Sequence, residues 1–227
     1  MYTYCDIGAG LSFPKAVLQY ASLLDVKAFE PFDPENRVVG NKGFNSIEIY
    51  PFAIGAEDRD DANFYVTKKS ACSSLLEPLD SYGSSSLSEK FNVLRTIKVP
   101  LRRLDTLFNA GFDLLKIDAQ GGGIDVLKGA HGILRTTKVI VVELEFIPLY
   151  KDQQLYHEGV RYMKSMGFKL YKIPAIHSLG ELGYTYCDAI FVNESCQDIP
   201  AELLDIILPE DQQINNRWLN YLKQLLR

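Results

Sequence analysis

The residues best placed to do chemistry are acids that follow short apolar runs. Asp6 comes just before Gly8 and Gly10, and Asp118 precedes Gln120 and three glycines. Glu143 and Glu145 close the run Val139-Ile140-Val141-Val142. Two glutamates two apart on a strand share one face, although either could instead point into solvent. Carboxylates gathered at one edge raise one another's pKa, and a cationic ligand or a metal ion would relieve the repulsion. Magnesium or calcium on Asp118 with Glu143 or Glu145 is one such arrangement, since both ions take oxygen ligands. The leading reading requires no metal. His131, His157 and His177 have no ligand spacing between them. His131 reads as structural, and His157 is a remote base candidate.

These acids need a scaffold that brings strand ends together. Tyr2 to Cys5 read as a short buried strand that runs through Asp6-Ile7-Gly8-Ala9-Gly10 into a helix opened by Ser12-Phe13-Pro14. Glycines there permit a tight turn and close approach of backbone amides to a ligand. A second strand, Val26 to Phe29, ends in Glu30-Pro31, where an acid can accept hydrogen bonds from both ribose hydroxyls. A dinucleotide fingerprint would place a third glycine where Phe13 stands, which argues against a pyrophosphate. Asp6 suits a cationic end such as an amino-acid ammonium. Adenosine at one end and an amino acid at the other describe S-adenosylmethionine.

Methyl transfer from a sulfonium to a hydroxyl fits that ligand. Asp118 is the first candidate for base or hydroxyl orienter, and Glu143 the second. A carboxylate beside a sulfonium is a weak base, so Asp118 is expected to work mainly by hydrogen bonding.

The chain has 227 residues, enough for one α/β domain with a full core. Hydrophobic residues make up 47% and charged residues 23%, with a net charge of −5, so no general pull toward nucleic acid or an anionic membrane is expected. The basic pairs Lys68-Lys69 and Arg102-Arg103 read as solvated surface. Cys5, Cys72, Cys187 and Cys196 form no Cys-x-x-Cys pair, which fits reduced thiols in a cytoplasm. Apolar runs are strand-length, too short to span a bilayer. The glycine motif begins at residue 6, so the domain is either minimal or cut from a longer chain.

In order, the pattern predicts a helix from Pro14 to Leu24, a helix from Asp33-Pro34 to about Gly40 or Gly43, and a third strand from Ser46 to Phe52. Strands at Asn63–Thr67 and about Val93–Leu101 read as a β-hairpin inserted before the fourth core strand, Asp113–Ile117. Ser81 to Ser88 read as a serine-rich connection, with a lid as the alternative. A helix begins at Ile124 and continues to Ile133. Lys138–Phe146 is the fifth strand, Gln153–Met166 a helix, and Phe168–Ile173 and Cys187–Asn193 an antiparallel pair. Helices at Ala201–Leu208 and Gln212–Leu226 close the chain, the latter with a stripe of Ile214, Trp218, Tyr221, Leu222 and Leu225 that suits core packing or a dimer surface.

Taken together, these motifs resemble the FkbM family of S-adenosylmethionine-dependent methyltransferases. The resemblance lies in Asp6 to Gly10, Phe29-Glu30-Pro31, Asn41 to Asn45, Ala53-Ile54-Gly55 and Ser73-Ser74-Leu75. Its most specific part runs from Leu115-Lys116-Ile117-Asp118-Ala119-Gln120-Gly121 through Lys128-Gly129-Ala130, and it continues to Asp188–Val192. It implies a class I methyltransferase sheet, Rossmann-like, of seven mostly parallel strands with the last antiparallel, and O-methylation of sugar, glycan or glycosylated small-molecule hydroxyls. By position, Asp6, Gly8, Ala9 and Gly10 would line the methionine end, and Glu30 with Pro31 the ribose. Ala53 and Ile54 would take the adenine, with Ser73 close by, and Asp118 and Gln120 would face the reaction centre. The chain departs from the family at Gly10-Leu11-Ser12 and at Gly123, where an acid is usual. The family's usual segment before the first strand is also missing.

Two rival readings remain at this level. An NAD-linked oxidoreductase is disfavoured by Phe13 and by the lack of a Tyr-x-x-x-Lys pair on a helix. A non-catalytic nucleoside-binding domain of a larger enzyme is the other. Acceptor contacts are expected from residues 57–100 and 174–186.

Overall fold

The computed structural model describes residues 1–10, 13–32, 43–80, 82, 85–196 and 199–207. Ser12 at the opening of the first helix, the helix from Asp33, Asn41 and the stripe from Ile214 to Leu225 lie outside these residues.

The strands are β1 (Tyr2–Ile7), β2 (Leu24–Phe29), β3 (Ser46–Tyr50), β4 (Ala53–Ile54), β5 (Arg59–Thr67), β6 (Val93–Arg102), β7 (Leu114–Ile117), β8 (Val139–Glu145), β9 (Phe168–Ser178) and β10 (Tyr184–Asn193). Seven of them form one sheet in the order β3-β2-β1-β7-β8-β10-β9. All neighbours from β3 to β8 pair in parallel, and β10 runs antiparallel to both β8 and β9. The chain builds outward from β1 to β3, then returns to the other side of β1 at β7. That reversal opens a crevice at the carboxyl ends of β1 and β7.

Alternation along the central strands explains why both faces are covered. Ile140, Val142 and Leu144 of β8 join Ile7, Leu115 and Ile117 against Ile124 and Leu127 of the helix Gly123–Gly129 and Met163 of the helix Tyr156–Ser165. Tyr4, Val26, Leu114 and Val139 face the other way, packing with Phe13, Val17, Leu203 and Ile206. Each such side chain, removed from water, contributes about 1.5–3 kcal/mol. On this second face the row turns polar toward the carboxyl ends, at Asp6, Lys116, Glu143 and Glu145.

Several elements differ from expectation. The first helix is only Lys15–Gln19, followed by a 3-10 turn at Ala21–Leu23, because Leu24 already belongs to β2, paired with Tyr2. Ala53 and Ile54 leave the third strand and pair with Leu101 and Arg102 of β6. The insertion is therefore a three-stranded sheet, β4-β6-β5, rather than a bare hairpin. Its β5 starts at Arg59, before the expected start at Asn63, because β6 is long enough to supply the pairing. Part of the serine-rich stretch is helical, at Ser85–Phe91. The helix from Gly123 stops at Gly129, whose absent side chain lets the Gly55 carbonyl approach; a Cβ there would sit 1.9 Å from that oxygen. Finally, β9 and β10 run on past Ile173 and before Cys187, leaving a connection of only a few residues around the 3-10 turn Gly180–Leu182.

The basic pairs are largely neutralised locally. Lys68 pairs with Glu89, Arg102 with Asp60 and Arg103 with Asp105. Cys5, Cys72, Cys187 and Cys196 are free thiols. Among the described residues, no helix is long and apolar enough to cross a membrane.

Candidate active site

The glycine turn after β1 is locked from both neighbours. Gly8 and Ala9 donate to the Phe29 carbonyl at 2.9 and 3.2 Å, which anchors the turn to the end of β2. Gly8 has φ of +75°, and a Cβ on it would stand 2.0 Å from the Asp118 carbonyl oxygen. Asp118 in turn donates its N–H to the Ile7 carbonyl at 3.0 Å. The missing side chain thus lets the end of β7 close onto the turn.

A cleft of about 220 Å³ opens there. From the expected set, Gly8, Gly10, Glu30 and Pro31 line it, as do Ala53, Ile54, Ser73, Asp118 and Gln120. Glu30 is 4% exposed, and its carboxylate accepts from the Gly10 N–H at 3.2 Å and the Phe32 N–H at 3.0 Å. Phe52, Phe64, Ala71 and Leu75 complete an apolar portion of the wall. Sequence reasoning did not assign these four; Phe64 and Leu75 come from the insertion, which carries no readable ligand code.

Asp6, Ala9 and Glu143 do not line the cleft. Asp6 is 1% exposed and lies behind the turn. The Tyr4 hydroxyl donates to one of its oxygens at 2.8 Å, and Lys116 Nζ donates to the other at 3.0 Å. Lys116 also stands 3.9 Å from Asp118. Burial works against the Lys116 charge, yet Asp6 and then Asp118 outweigh it and raise its pKa. Lys116 was visible only as part of a motif; its role needed the β1–β7 register, where Asp6 is opposite Lys116.

Gln120 joins the acids. Its Nε2 donates to Asp118 Oδ1 at 2.7 Å and to Glu143 Oε1 at 2.9 Å. The residue has φ of +45°, and the Ser74 hydroxyl, donating to its carbonyl at 2.7 Å, helps hold that conformation. The Tyr150 hydroxyl donates to the Cys72 carbonyl at 3.0 Å and reaches Gln120 Oε1 at 3.4 Å. Burial, then the charges of Asp118, Glu145 and Asp188, pushes the Glu143 carboxyl well above the usual range. Glu145, 3% exposed, is pushed up to about 7, mainly by burial. Both glutamates turn inward, so the solvent-facing alternative is excluded for this pair.

The histidines redistribute. His157 is exposed on the helix Tyr156–Ser165, whose Gly159 packs on Leu144. Leu144 points to the opposite face of β8 from Glu143, so His157 is on the wrong side of the sheet for a base. His131, inside the expected helix, is exposed beyond the end of the observed one, with Nδ1 3.3 Å from the Tyr162 hydroxyl. His177 instead lies on the extended part of β9, hydrogen-bonded to Asp188 at 3.0 Å. The strand continues past its expected end at Ile173 to Ser178, which brings His177 beside Asp188.

The insertion and the β9–β10 connection meet around Tyr150. Leu179 and Leu182 pack against a cluster of Cys72, Tyr82, Leu87, Phe91, Leu149 and Tyr150. Tyr82 reinforces it by donating to the Leu149 carbonyl at 2.6 Å.

The profile of the methyltransferase FkbM domain matches residues 6–170, from the Asp6 turn through β7, β8 and into β9. The chain belongs to the FkbM methyltransferase family. A methyltransferase FkbM from Methylobacillus flagellatus KT is 13% identical, with a TM-score of 0.44 over 84% of this chain and 43% of that one. Magnesium protoporphyrin IX methyltransferase from Synechocystis PCC 6803, solved with bound SAM, is 10% identical, with a TM-score of 0.42 over 84% and 69%. The 1,6-didemethyltoxoflavin-N1-methyltransferase of Burkholderia thailandensis, solved with bound 1,6-didemethyltoxoflavin and S-adenosylhomocysteine, is 12% identical, with a TM-score of 0.41 over 85% and 71%. This FkbM chain therefore spans less than half the length of the Methylobacillus flagellatus protein. No curated protein matched it.

Proposed function

We propose that this chain is an S-adenosylmethionine-dependent O-methyltransferase that acts on a hydroxyl of a sugar, glycan or glycosylated small molecule. The observation that carries this reading is Gln120, whose single nitrogen holds Asp118 and Glu143 together beside the cleft. Family membership supports the transfer chemistry.

The residues present fit the donor. Buried Glu30 suits a ribose diol, and Ile54, Phe52 and Phe64 offer an apolar wall for a base ring. Gly8 and Gly10 expose backbone where side chains would obstruct an amino-acid tail. Asp6, committed to Tyr4 and Lys116, supports the turn from behind. When bound, the donor supplies a methyl carbon already activated by the sulfonium.

The protein's task is then chiefly alignment, worth ~7–11 kcal/mol of barrier lowering. Asp118 orients the acceptor by hydrogen bonding beside the hydroxyl that reacts. Glu143, whose carboxyl burial pushes above the usual range, braces Gln120. The insertion and the Leu179–Leu182 tip pack together around Tyr150, which reaches Gln120.

The test is isothermal calorimetry with S-adenosylhomocysteine beside NAD, with Glu30→Ala as control. Micromolar affinity, about 8 kcal/mol, that is lost in the control is the expected result. Binding of NAD in place of S-adenosylhomocysteine would sink the reading. Normal donor binding with no transfer to any glycoside would leave a nucleoside-binding domain instead.

A further inference from the structure

Methyl transfer to a hydroxyl releases a proton, and the two acids beside the cleft are already engaged. Glu143 does not line the cleft, and one oxygen of each carboxylate accepts from Gln120 Nε2. The sheet register points to a third group. Asp188 of β10 stands directly across from Glu143 of β8, and Tyr186 stands across from both Glu145 and His177. Partners at this spacing have their side chains ~5 Å apart on one face. Asp188, Tyr186 and His177 therefore continue the polar row of Asp118, Glu143 and Glu145 across two more strands.

Within that row the imidazole is fixed twice. His177 Nε2 lies 3.0 Å from Asp188 Oδ2, and the ring stacks on Tyr186 with centroids 4.6 Å apart and planes 18° from parallel. The side chain is 38% exposed, so it is reachable. With Nε2–H donating to Asp188, Nδ1 is left as the proton acceptor.

Resting on the O-methyltransferase reading, we propose that His177, oriented by Asp188, is the catalytic base that receives the proton of the acceptor hydroxyl. The acceptor oxygen forms the new O–CH₃ bond, and the C–S bond breaks with its electron pair kept by sulfur. The proton passes to Nδ1 and later to water. Charge balances, since one cationic sulfur becomes neutral as one imidazole becomes imidazolium.

The groups facing His177 are Asp188 and Tyr186 on β10, Glu143 and Glu145 on β8, and Asp118 with Lys116 on and beyond β7. The hydrogen bond to Asp188 raises the imidazole's pKa most, and the charge of Asp118 adds to it. A cationic donor near Asp118 should lower it again.

Histidine-¹³C NMR titration of the whole chain tests this without an acceptor, because only three histidines are present. S-adenosylmethionine should lower the His177 pKa by roughly half a unit relative to neutral S-adenosylhomocysteine, with His131 and His157 unmoved. Asp188→Asn should lower it in both complexes. In turnover, His177→Gln should cost ~10²-fold in kcat with unchanged S-adenosylhomocysteine affinity. A His177 pKa that is identical in two saturated complexes overturns the proposal. Failure of S-adenosylhomocysteine to bind is the separate outcome that removes the donor site, and this role with it.

Discussion

Gly8 and Asp118, 110 residues apart in the chain, meet so closely that a methyl group on Gly8 would lie 2.0 Å from the Asp118 carbonyl oxygen. The contact is between two backbones, so no rotamer change can relieve it. Gly8→Ala must shift either the turn or the end of β7, and it also forces alanine to φ of +75°. We expect a loss of about 3 kcal/mol or more, read by urea denaturation, together with loss of S-adenosylhomocysteine binding. A variant of unchanged stability would mean that the turn can relax freely.

Gln120→Leu keeps a side chain of similar size but removes the nitrogen shared by Asp118 and Glu143. We expect methyl transfer to fall ~10²-fold or more while donor affinity in calorimetry changes little. Equal losses in both would instead assign Gln120 to donor binding.

The pair Asp6–Lys116 is a buried charge pair whose partners come from adjacent strands. Lys116→Met strands a carboxylate behind the turn, and such single removals cost ~3–5 kcal/mol. The double variant Asp6→Asn with Lys116→Met should recover part of that loss. Additive losses in the double-variant cycle would show that the two residues act independently.

Glu145 gives a pH signature of definite sign. Its folded pKa of about 7 lies above an ordinary carboxylate value, so between the two the folded state binds more protons than the unfolded state. Its contribution therefore becomes less favourable as pH rises from about 4.5 to 7 and is constant above that. Glu145→Gln should accordingly gain stability relative to the parent by about 1–3 kcal/mol at pH 8, with little gain at pH 4. A difference between the two proteins that does not change with pH would place the ionised carboxylate in a better-solvated site.

Much of the site could be read directly because its signals are local. The Asp6-Ile7-Gly8-Ala9-Gly10 turn, Glu30 at the end of the second strand and Asp118 at the end of the fourth each follow a short apolar run that stops at a polar residue. The run Val139–Val142 identified a strand buried on both faces, since no surface strand would carry four apolar residues in succession. The first helix was overdrawn because Leu24 fits helical spacing as well as it fits a strand; pairing with Tyr2 decided for the strand.

What the sequence determined by itself was the set of strand ends, the turn chemistry and the acids available, because residue type and spacing of 2 or 3.6 fix those locally. Only the tertiary structure decided which acids meet cations and which meet one another. Lys116 reaches Asp6 across 110 positions, Gln120 reaches Glu143 across 23, and His177 finds Asp188 because β9 and β10 extend as a bulged antiparallel pair. Those partnerships depend on strand order and register, and a one-residue slip would turn every one of these side chains to the other face.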